Sequence, residues 1–100
     1  MGKHLLIPPS AETDPNSVEL LRLWAAHEGQ HVSIQAGAYE DPFAWGIVLA
    51  DLARHIAVAY EQDKGLDKTK TLEIIRAGLL AELCDPTDEP TGRLLGGSPQ

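Results

Sequence analysis

A single cysteine, Cys84, stands in the whole chain, so no disulfide can close within it. Small secreted domains lean on disulfides, and the expected location is therefore a reducing cytoplasm. Long apolar runs are missing as well. The N-terminus offers only Leu5-Leu6-Ile7 before Pro8-Pro9, too short for a signal peptide. The stretch Phe43–Ala50 is cut off by Asp51 and Arg54, well short of the roughly 20 residues that span a bilayer, so no membrane partner is expected. Basic residues are scarce: 8 Lys and Arg face 15 Asp and Glu, a net charge of −7. That balance repels a phosphate backbone and disfavours nucleic acid, including a helix-turn-helix built from the last two helices. No glycine-rich phosphate loop occurs, and Lys64, Lys68 and Lys70 are interleaved with Asp63 and Asp67, as in a solvated loop. With 100 residues there is room for one thin core.

What the chain does contain is helical and strand periodicity. Asp14-Pro15 pairs a capping carboxylate with a first-turn proline, which predicts a helix over residues 15–28. Val18, Leu21 and Ala25 would form its inner row, and Gly29 its left-handed end. His31 to Gly37 alternates polar and apolar, which predicts a half-buried strand with Lys3–Ile7 as a weak partner. Asp41-Pro42 repeats the helix-start chemistry and opens a second helix over residues 42–62, apolar nearly all round. Its small row Gly46, Ala50, Ala53 and Ala57 would admit a close neighbour, with Gly78 opposite. Lys64-Gly65 ends it. A third helix is expected over residues 68–84, with Leu72, Ile75, Leu79 and Leu83 inward and Asp85-Pro86 as its stop. The fold class is therefore α+β, three helices packed on one face of a small two-stranded sheet. Residues 1–84 form the domain. The tail 85–100, with three prolines and three glycines, is expected to be mobile, Leu94-Leu95 being its one docking candidate.

His27-Glu28-Gly29-Gln30-His31 matches the HExxH pattern of zinc metalloproteases. That chemistry needs both imidazoles one helical turn apart, with the glutamate poised toward a metal-bound water. A helix stop at Gly29 followed by a strand separates the two histidines, so no metal is assigned. A zinc-dependent hydrolase using His27, Glu28 and His31 stays the alternative. Asp51, Arg54 and His55 share one helix face, a candidate binding cluster whose plain reading is a solvated ion pair. His31, Ser33 and Gln35 form the polar strand face, a second candidate for binding a ligand or another subunit; without an orienting third group it is not a nucleophilic site. Cys84 reads as a buried small hydrophobe.

The stretch from Phe43 to Ala57, with the strand His31–Gly37 and the later Ile75-Arg76-Ala77-Gly78, resembles a small bacterial family of unknown function. Its members are stand-alone cytoplasmic proteins of about this length, and the resemblance runs from Leu5 to Leu83. It implies a single-domain α+β protein and brings no activity, substrate or catalytic residue. The expected function is non-catalytic: a homo-oligomeric binding or regulatory module without cofactor. A homodimer would extend the sheet, and a small molecule or protein would be the further partner.

Overall fold

The structure, a computed structural model, describes residues 4–86 and 94–95. The chain divides into two compact units, one drawn from residues 1–38 and 92–100, the other from residues 39–91. The fold is α+β. The first unit holds helix α1 (Pro9–Thr13) and strands β1 (Leu21–Ala26), β2 (Gly29–Ile34) and β3 (Leu94–Leu95). The second holds helices α2 (Phe43–Lys64) and α3 (Lys68–Cys84).

The helix expected over residues 15–28 does not form. Its supposed cap builds a turn instead. The Asn16 N–H donates to Asp14 Oδ1 at 2.9 Å, and the Ser17 N–H donates to the Asp14 carbonyl at 3.0 Å. Proline at the second position of such a turn has its φ already set. Beyond it, Leu21, Leu23 and Ala25 alternate as readily as Val18, Leu21 and Ala25 recur at helical spacing. A full antiparallel partner decides between the two: β1 pairs with β2 from Leu21↔Ile34 to Ala26↔Gly29. The third helix of the fold is thus the five-residue α1. Residues 4–7 form no strand, so Lys3–Ile7 is not the partner of β2.

β2 is the central strand, with β1 on one side and β3 parallel to it at Val32 and Ser33 on the other. It starts two residues before the expected His31 and ends at Ile34, where Ala36–Ala38 coil into a 3-10 turn. Leu94–Leu95 therefore joins the sheet; residues 87–93 and 96–100 of the expected mobile tail lie outside the described residues.

The two long helices follow the sequence closely. Asp41 Oδ1 accepts the Phe43 N–H at 3.0 Å and opens α2. Gly65, at φ 70°, closes it in the left-handed conformation that glycine adopts at least cost. Asp67 caps α3 by accepting the Lys70 N–H at 2.9 Å. A three-residue link makes the pair antiparallel. Packing is concentrated beside that link, where Ala57 is 0% exposed and Thr71 is buried. Leu72, Ile75 and Ala53 are half-buried. Further away the two helices leave each other uncovered. Leu79 and Leu83 are exposed, and a Cβ added at Gly46 or Gly78 would meet nothing within 4 Å. Gly46 and Gly78 are thus not the close helix contacts that the small row suggested.

Candidate functional site

The HExxH segment lies on the β1–β2 hairpin. Ala26 and Gly29 pair across it, leaving His27 and Glu28 as a two-residue loop. Both loop residues have positive φ, 51° and 62°. This is the turn whose twist suits a hairpin, and it is normally built from Asn-Gly. The left-handed residues are therefore His27 and Glu28, not Gly29. The metalloprotease geometry is absent because no helix runs through the five residues.

The two imidazoles nonetheless stand close, with ring centroids 6.4 Å apart and planes at 87°. His31 sits on β2 opposite Trp24. Its Nε2–H donates to the Ala26 carbonyl at 3.0 Å, and since a carbonyl only accepts, the proton must lie on Nε2. That bond occupies one of the four ring nitrogens. Among the described residues no group of three His, Cys, Asp or Glu side chains gathers as a metal would require. The depression over the turn is lined by residues 25–30, the hairpin's own consecutive residues, so nothing converges on it from elsewhere. The expected result is a purified protein without stoichiometric zinc, melting at the same temperature with and without chelator. One zinc per chain by elemental analysis, lost in His27→Ala, would overturn it.

The polar strand face is partly as expected. His31 and Ser33 point to one side of β2, level with Trp24 and Arg22 of β1. Arg22 itself is held by Glu19, Nε to Oε2 at 2.7 Å. Gln35 lies past the end of the strand. Its backbone N–H donates to the Leu20 carbonyl at 2.9 Å and its side-chain Nε2 to the Glu19 carbonyl at 3.3 Å. It is thus engaged in closing the hairpin's open end. On α2, His55 Nε2 lies 3.3 Å from Asp51 Oδ2, both side chains exposed. This is an ion pair only while the imidazole is protonated, worth a few tenths of a kcal/mol, about the size of other i,i+4 pairs. Arg54 takes no part in it. The six candidate residues fall in the two units: His31, Ser33 and Gln35 in the first, Asp51, Arg54 and His55 in the second.

Cys84 is exposed at the end of α3, contrary to its reading as a buried hydrophobe. Tyr39 stacks edge-on against Trp45 at 5.3 Å, a contact that braces the entry to α2. The feature that sequence reasoning missed is apolar. Phe43 is 76% exposed, Ile74 72% and Leu83 70%, and Ile47, Leu49, Leu52, Leu79 and Leu80 are exposed too. The signal was present in α2, where apolar groups point nearly all round with one antiparallel neighbour to cover them.

A family model described as Domain of unknown function (DUF5076) matches residues 4–87. A solved structure from the photosynthetic bacterium Rhodopseudomonas palustrus, provisionally described as a pyruvate dehydrogenase, is 34% identical, with a TM-score of 0.71. The match covers 91% of this chain and 93% of that one. No curated protein matches the chain.

Proposed function

The chain belongs to this family of unknown function, and we propose that it works as a non-catalytic, homo-oligomeric binding or regulatory module of the bacterial cytoplasm. The observation that carries the reading is the exposed apolar surface of α2 and α3. Phe43, Ile74 and Leu83 are each at least 70% exposed, and exposed apolar surface of this kind marks sites of association. A standard dimer buries about 800 Å² per partner. The sheet edge is the weaker candidate for assembly. β2 was expected to need a second copy because its partner was weak, and β1 supplies a partner along its whole length.

Lipid is the competing cover. By length and composition alone the helix Phe43–Lys64, which holds an 18-residue window of mean hydropathy 1.3, is apolar enough to cross a membrane. Asp51 and Arg54 stand near its middle, where each charge costs roughly 2.5–3.5 kcal/mol. A second copy would leave those groups in water. Sedimentation equilibrium at micromolar concentration should return about twice the 10.8 kDa chain mass. A chain that stays monomeric across that range sinks the reading.

A further inference from the structure

Pairing with β1 covers one side of β2 and passes the open edge on to β1, which ends the sheet. The phase of the ladder says which groups lie on that edge. The Gln35 N–H donates to the Leu20 carbonyl at 2.9 Å, so Leu20 and Gln35 face each other as a hydrogen-bonded pair. In an antiparallel ladder such pairs recur at every second residue. Arg22, Trp24 and Ala26 therefore turn their backbone groups toward β2, opposite Ser33, His31 and Gly29. Leu21, Leu23 and Ala25 turn theirs outward, and among the described residues no hydrogen bond reaches those outward groups. Edges of this kind are usually blunted by lysine, proline or a bulge. β1 has none of them: it reads Leu-Arg-Leu-Trp-Ala-Ala and pairs residue for residue along its length. Leu23, near its centre, is 56% exposed.

We propose that β1 of a second copy pairs antiparallel on this edge, about a two-fold axis at Leu23, joining the two sheets into one. This rests on the homo-oligomeric reading above and adds to it a surface that the helices do not supply. The residues of the strand favour a second copy over a foreign peptide, because they are complementary to themselves in one register. With Leu23 opposite Leu23, Leu21 falls opposite Ala25, and every outward N–H and C=O of the strand finds a partner. Arg22, the only charged side chain of β1, falls opposite Trp24, a cation beside an aromatic ring. An axis at Arg22 would oppose two arginines, and an axis at Trp24 would set Leu21 against the hairpin turn, unpaired. Leu21 and Leu23 also share a face with their partners Ile34 and Val32, so the joined sheet carries one apolar strip across the axis.

The test reads backbone amide hydrogen exchange, residue by residue, at concentrations above and below the dimer dissociation constant, with sedimentation equilibrium on the wild type and on Leu23→Lys. The exchange arm needs no variant. In the dimer the amides of Leu21, Leu23 and Ala25 should exchange on the order of 10-fold more slowly than in the dilute monomer. Lysine at this exposed position removes no bond of the β1–β2 ladder and sets two like charges across the axis. Leu23→Lys should therefore raise the dissociation constant on the order of 10- to 100-fold, with the far-UV spectrum unchanged. A wild-type dimer whose edge amides exchange as fast as in the monomer, or whose affinity Leu23→Lys leaves unchanged, overturns the edge contact and leaves the homo-oligomeric reading standing. Protection that is the same at every concentration means that the chain covers its own edge, and overturns the contact too. A wild type that stays monomeric across the micromolar range overturns both.

Discussion

Ala57→Leu is expected to destabilise the protein by about 2–3 kcal/mol, read as a lowered urea midpoint at unchanged slope. Ala57 is the one apolar residue fully buried among those described, and Thr71 of α3 is the one buried polar residue. Three added heavy atoms there have no space to enter, so either the side chain leaves its rotamer or the helices part. The same substitution one end further along the small row should act in the opposite sense. At Gly46 an added Cβ meets no atom within 4 Å, and the helix gains about 1 kcal/mol of propensity. An unchanged midpoint for Ala57→Leu would mean that the helices do not meet at Ala57.

Replacing His27-Glu28 by Asn-Gly should stabilise the protein by about 1–2 kcal/mol. Both positions hold left-handed backbone. A histidine tolerates it moderately and a glutamate poorly, whereas Asn-Gly is the pair that this turn prefers. The two side chains are exposed and make no hydrogen bond that the change would cost beyond the edge-on contact with His31. A raised urea midpoint with an unaltered far-UV spectrum is the outcome expected. A midpoint equal to or below wild type would show that the turn is not strained, or that the pair supplies a contact worth more than the strain. Strain retained at a surface turn is a reason to look there for recognition, so the doubly substituted chain is also the right control in any search for a ligand.

The long helices were legible because their ends carry their own chemistry. Asp41-Pro42 and Lys64-Gly65 bracket α2, and Asp85-Pro86 stops α3 at Cys84. The error at residues 15–28 has one cause. Asp-Pro serves equally as a helix cap and as the start of a turn, and Leu21 to Ala26 satisfies both periods. Local preference cannot separate them; only the presence of β2 alongside does. The same error shaped the site. Once residues 21–26 are a strand, His27 and Glu28 must be a two-residue loop, and HExxH becomes a hairpin tip in place of a helix stop.

The family and the α+β class follow from the sequence alone, because they rest on which residues occur and at what spacing. So do the extents of α2 and α3 and the want of a helix through HExxH. Tertiary structure decided the rest. It turned the first helix into β1, placed β2 at the centre of its sheet, and brought His27 within 6.4 Å of His31. It also left half of each helix stripe uncovered. A stripe states only that a face is apolar. Whether that face is covered depends on where the next helix lies along it, and that is set by packing at Ala57 and Thr71, not by the pattern.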